Sequence, residues 1–156
     1  MQSIIATSIL AFFASSAIAA LPDRSSYNIE NFSETKSLNN DIISVSFDIT
    51  PYDPASTSES GGVYHCTQYD VVTGELVANF EEMVTYSCGP GSPFSFSYSE
   101  KDGPFKYRLY MWQEATPQTP TRWAFTPIRA PACNTADGHQ ICYAPDSLIT
   151  LTNDGT

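Results

Sequence analysis

Positive charge is scarce in this sequence: 7 Lys+Arg stand against 17 Asp+Glu, for a formal net charge of −10. That balance opposes binding to a phosphate backbone or an anionic membrane face, so no nucleic acid and no membrane is expected as a partner. Histidine is scarcer still, with only His65 and His139, and a histidine-dependent triad would need one of them beside an activated serine and an orienting acid. The motifs G-x-S-x-G and H-E-x-x-H and any P-loop-like glycine run are missing, which removes the sequence-level basis for the common hydrolase, zinc-peptidase and nucleotide sites. No window carries a convincing 3.6-residue apolar stripe, which argues against a helical domain, and no internal repeat or interdomain linker is visible. After the first twenty residues no hydrophobic run is long enough to suggest a membrane span.

What is present is apolar enough to fold. Hydrophobic residues make up 42% of the chain and aromatics 13%, too many for a disordered acidic chain, and the length suits one compact domain. Residues 1–20 (MQSIIATSILAFFASSAIAA) combine an apolar run with small residues at Ala17 and Ala19, the pattern of a secretory signal peptide. Residues 21–156 are then expected to form a single secreted domain, with four cysteines at Cys66, Cys88, Cys133 and Cys142. An even count in a small exported chain predicts two disulfides, for which three pairings exist; proximity in sequence favours Cys66 with Cys88 and Cys133 with Cys142. Neither pair has a zinc-ligand spacing, and His65 beside Cys66 points the other way on a strand, so no metal and no cofactor is expected. His139 reads as a surface histidine.

Alternation with period two predicts an all-β fold, a compact antiparallel barrel or sandwich. The clearest strands are Ile43–Ile49, Phe94–Tyr98 with serines expected on a wet outer face, and Phe105–Trp112. Weaker candidates are Tyr27–Phe32, Val63–Tyr69, Glu75–Phe80, Val84–Cys88, Arg122–Thr126 and Ser147–Leu151. Glu81, Glu82 and Met83 read as a turn with ordinary surface charge, and 130–138 as a loop. On Phe105–Trp112 one face carries Lys106, Arg108, Tyr110 and Trp112. Aromatics at i and i+2 on one strand face stand about 7 Å apart and, if exposed, suit a sugar ring or a protein partner; the expectation from burial of large aromatics is that both faces are covered. Asn31-Phe32-Ser33 is an N-glycosylation sequon.

In order along the chain, several segments resemble the Alternaria major allergen family of small secreted fungal β-barrels. Ile29-Glu30-Asn31-Phe32, Ser46-Phe47-Asp48-Ile49 and Gly61-Gly62-Val63-Tyr64-His65-Cys66 resemble its early strands and the approach to its first barrel cysteine. Tyr86-Ser87-Cys88-Gly89 and Phe94-Ser95-Phe96 resemble its Y-S-C-G and F-S-F segments, and Cys133 to Cys142 followed by Leu148-Ile149-Thr150-Leu151 its closing pair and strand. The resemblance implies a β-barrel, the two neighbouring disulfides, and action on a host as an allergen, effector or elicitor, without catalysis. It points to a plant defence protein of the thaumatin-like class as partner. The family's founding allergen carries an N-terminal cysteine that links two barrels, whereas no cysteine lies between Leu21 and Val45 here; a disulfide-linked dimer is not expected. Thr85 stands where the family has a tryptophan. A small-ligand or carbohydrate-binding extracellular barrel is the alternative function.

Overall fold

The structure is a computed structural model that describes residues 24–52, 62–101, 106–117 and 119–155. The signal-peptide reading of residues 1–20 and the placement of Phe105 lie outside the described residues. Among the described residues every regular element is a strand: β1 (Arg24–Lys36), β2 (Ile42–Pro51), β3 (Tyr64–Thr67), β4 (Tyr69–Asp70), β5 (Tyr86–Ser87), β6 (Phe94–Ser99), β7 (Arg108–Gln113), β8 (Arg122–Pro127), β9 (Ala132–Ala136), β10 (His139–Tyr143) and β11 (Ser147–Thr152). Neighbours pair in the order β3-β2-β1-β11-β8-β7-β6-β5-β4, all antiparallel, and β10 adds β9 to the far half of β1.

The path closes because β4 follows β3 with a single residue, Gln68, between them. At this point the chain leaves β2 and turns toward β5. Gln68 is 3% exposed, and its side chain continues the pairing that the backbone has abandoned. Val45 N–H donates to Oε1 at 3.1 Å, while Nε2 donates to the carbonyls of Ile43 (3.3 Å) and Val77 (3.2 Å). The Cys66–Cys88 disulfide ties β3 to the end of β5 across the same seam, and Cys133–Cys142 joins directly opposed residues of β9 and β10. Cys66 is buried and His65 exposed, as alternation on a strand requires.

Interior side chains follow the strand period. Ile29, Val45, Phe47, Ile49, Phe96, Tyr98, Leu109, Met111, Ile149 and Leu151 are buried together. Phe32 meets Tyr98 with centroids 5.1 Å apart, and Phe47 meets Phe96 edge-on at 5.0 Å. These rings fill the lumen, as they do in small barrels. On β1 the phase shifts: Tyr27 and Ile29 point inward, then Phe32, Glu34 and Lys36. The change occurs at a bulge between Glu30 and Ser33, where Asn31 adopts φ 53°. Asparagine tolerates this left-handed conformation better than most residues, and without it Asn31 would face the core.

Several sequence-based expectations need correction. Residues 75–80 form no strand, only the isolated bridge Tyr69↔Leu76, because Gln68 takes the positions a ladder would occupy. Val84–Cys88 shrinks to β5. Residues 130–138 are not a loop: β9 and β10 form a hairpin whose two-residue turn is Asp137-Gly138, with φ 50° and 80°, the conformation Asp-Gly favours. The serine row of β6 is not wet either; Ser97 is 3% exposed, beside Tyr110 of β7. Glu82 is in a turn as expected, but it is not free surface charge. Its Oε1 accepts the Glu100 N–H at 2.6 Å and the Ser99 hydroxyl at 3.3 Å, anchoring the end of β6.

Removing the seam disulfide tests its role. The Cys66→Ser/Cys88→Ser variant is expected to lose about 3 kcal/mol, the chain-entropy value for a loop of this size, measured as a lower urea midpoint with a steeper slope, since the uncrosslinked unfolded chain exposes more surface.

Candidate functional site: the outer face of β7 and β8

β7 and β8 are paired in full register from Arg108↔Pro127 to Gln113↔Arg122. Because successive side chains alternate, one face collects Arg108, Tyr110 and Trp112 from β7 and Trp123, Phe125 and Pro127 from β8. The cross-strand pairs are Tyr110↔Phe125 and Trp112↔Trp123. Tyr110 and Trp112 lie near-parallel (18°) with centroids 6.3 Å apart, and Tyr110 meets Phe125 at 5.7 Å. The Arg108 guanidinium sits 4.2 Å from the centre of the Phe125 ring, a cation–π distance. At the other end Gly155 lies on Trp123: a Cβ at that position, where φ is +76°, would come within 2.2 Å of the indole.

The expectation that this strand is covered on both faces holds on the inner face and only in part on the outer one. Arg108, Tyr110 and Trp112 are half-buried and Phe125 is 41% exposed, since no second layer lies over the sheet among the described residues. Lys106 does not join the row. Tyr107 takes φ 58° and turns inward, and the Lys106 ammonium lies 5.4 Å from the Tyr107 ring instead. The sequence does not single out Trp123 and Phe125. Hydropathy would place these two large residues in the core, yet β8 turns Arg122, Ala124 and Thr126 inward. Arg122 keeps a partner inside, donating from Nη1 to Ser25 Oγ at 2.6 Å.

The model of the family described as Alternaria alternata allergen 1 matches residues 29–147. The chain belongs to this family. A crystal structure of the Alternaria alternata allergen Alt a 1 is similar with a TM-score of 0.60 and 21% identity, over 89% of this chain and 95% of that one. A second crystal structure of the same major allergen gives a TM-score of 0.58 and 20% identity, over 81% and 92%. At such identity the likeness establishes the fold. No curated protein sequence matches the chain.

In this allergen-family barrel the matched span contains both disulfides and the whole aromatic face. It also contains a polar cluster closing one end of the lumen. Glu34 is 1% exposed; its Oε1 lies 3.1 Å from Lys36 Nζ, which also contacts Glu100 Oε2 at 2.5 Å. The Tyr98 hydroxyl donates to Glu100 Oε1 at 3.5 Å. Burial, reinforced by the Glu100 charge, pushes the Glu34 carboxyl up to about 7, with Lys36 acting against it. Burial alone would lower Lys36, but Glu100 and Glu34 together raise it. Tyr98 is also raised, first by burial and then by the two carboxylates, so it stays neutral at physiological pH. Glu34 also approaches Cys133 and Cys142, but their sulfurs are bonded to each other and offer no thiolate to a metal. A recess of ≈ 610 Å³ opens beside this end, lined by Lys36, Asp41, Glu82, Glu100 and Tyr107 among others. His65 and His139 sit exposed on β3 and β10, away from the aromatic row.

Proposed function

We propose that this allergen-family protein is secreted as a single domain of residues 21–156 and acts on a plant host, in the manner of an effector or elicitor. It does so by binding a host protein and without catalysis of its own. The observation that carries this reading is the half-exposed row of Tyr110, Trp112, Trp123 and Phe125 with Arg108 at its edge. Tryptophan, tyrosine and arginine dominate the energetics of protein interfaces, and here two paired strands hold them in fixed positions. Secretion is supported by the signal-peptide pattern of residues 1–20 and by two disulfides, which persist in oxidising compartments. The family resemblance points to the thaumatin-like class of defence proteins as the partner.

The test is a pull-down from plant apoplastic extract with folded, disulfide-intact protein as bait and a reduced, alkylated sample as control. A thaumatin-like protein recovered by the folded bait alone is the expected result. Recovery of the same proteins by both baits would remove the case for a folded interface.

A second reading has its own observation. Near-parallel rings at 6.3 Å also suit the apolar face of a sugar, and because aromatic side chains fill the lumen, a carbohydrate or small ligand would bind on this outer face. In that case Trp112→Ala keeps its melting temperature and loses glycan binding; absence of glycan binding by the unmutated protein would sink this reading.

A further inference from the structure

We propose that Asn31 is a modification site that carries an N-linked glycan on the secreted protein. The inference rests on the secretion reading above and goes beyond it. Asn31-Phe32-Ser33 is the acceptor triplet, and the fold handles it unusually. The bulge in β1 turns both Asn31 and Ser33 outward and sends Phe32 alone into the core. Had the strand continued in phase past Ile29, the Asn31 amide would point into the lumen, where no glycan fits. The bulge accounts for a residue that tolerates φ 53° at this position, a need glycine would also meet, and the amide has a structural partner of its own in Asp48. The bulge does not call for a hydroxyl at 33.

The surroundings accommodate a sugar. Asn31 is exposed, and its Nδ2 donates to Asp48 Oδ2 at 2.8 Å. A glycosylated amide retains one N–H, so this bond can survive. Next to Asp48 on β3 stands His65, its side chain 81% exposed and its Nδ1 2.5 Å from Asp48 Oδ1, so the first sugar meets open surface. Asn31 itself lies on β1, two strands from β8 and three from β7 along the strand order, with β11 between β1 and the aromatic face.

In the transfer, Asn31 Nδ2 forms a bond to the anomeric carbon of the first N-acetylglucosamine while that carbon's bond to the pyrophosphate of a lipid-linked oligosaccharide breaks. The pyrophosphate leaves with the electron pair, and one amide proton is released. No oxidant or reductant is needed.

The experiment expresses the full chain in a fungal secretory host and measures intact mass in medium and cells before and after peptide-N-glycosidase digestion in 18O water. The expected result is secreted protein that loses one glycan on digestion and gains an 18O-labelled aspartate at position 31. Ser33→Ala should be secreted with the same melting temperature and no glycan, because it removes only an exposed hydroxyl pair with Ser46; Ser33→Thr should restore the glycan. Secreted protein with unshifted mass overturns the glycan and leaves secretion standing. Protein retained in the cytosol without a glycan overturns both.

Discussion

Replacing Gln68 with alanine is expected to destabilise the barrel by about 3–5 kcal/mol, because it strands three backbone groups at once and each buried unsatisfied group costs ~1–3 kcal/mol. The groups are the Val45 N–H and the carbonyls of Ile43 and Val77. Ile43 retains one bond, from the Phe80 N–H, which places the expectation below the sum of three full penalties. Gln68→Glu separates donor from acceptor: it keeps the oxygen that receives the Val45 N–H, removes both amide donors and adds a buried charge, so it should be no better than alanine. Urea denaturation followed by tryptophan fluorescence measures the loss. A change below about 1 kcal/mol, the worth of one ordinary hydrogen bond, would mean that water satisfies the seam and that Gln68 does not close the barrel.

The second large effect is on pH dependence. Folding raises the Glu34 carboxyl from 4.5 to about 7, so between these values the folded chain holds a proton that the unfolded chain has released. Stability attributable to this group therefore falls as pH rises from about 4.5 to about 7, and the full penalty stands above 7. The shift, which already contains the opposing effect of Lys36, corresponds to at most about 3 kcal/mol. Lys36 and Tyr98 titrate above this window, so the difference between the protein and Glu34→Gln isolates the carboxyl. Glu34→Gln should be the more stable of the two at pH 8 and should show a flatter profile between pH 5 and 7.5. Parallel profiles for the two proteins would show that Glu34 does not titrate in that range.

The parts legible in the sequence are those where one strand period sets one outcome. On Ile43–Ile49 the apolar parity marks the buried side chains Val45, Phe47 and Ile49, and on Phe94–Tyr98 it marks the buried rings, although Ser97 between them is buried as well. Both disulfides join the sequence neighbours that proximity favoured. Where a side chain replaces backbone, the sequence is silent: nothing in its pattern distinguishes Gln68 from a surface glutamine, and so Glu75–Phe80 reads as a strand. The bulge at Asn31 hides in the same way, since a one-residue phase change in β1 is invisible until Phe32, Glu34 and Lys36 are seen to share the lumen. The Asp137-Gly138 hairpin carries a signal, the Asp-Gly pair, but the small residues of β9 show no apolar alternation to go with it; all five are exposed.

The binding face was half legible. Tyr110 and Trp112 declare themselves by spacing, and Arg108 shares their parity. Trp123 and Phe125 do not, because their exposure depends on β8 spending its inward positions on Arg122, Ala124 and Thr126. That inversion of hydropathy is the reason the face is read as an interface rather than as displaced core: two strands place their large rings outward together.

The central claim is that this face binds a host protein. It is tested most directly by measuring the affinity of the recovered plant protein for the unmodified barrel and for Trp112→Ala, Phe125→Ala and His65→Ala, the last lying on β3 away from the aromatic row. The account predicts that Trp112→Ala and Phe125→Ala each weaken binding by about tenfold or more, as loss of an interface anchor does, with unchanged melting temperatures and no effect of His65→Ala. Equal affinities for all four proteins would contradict it.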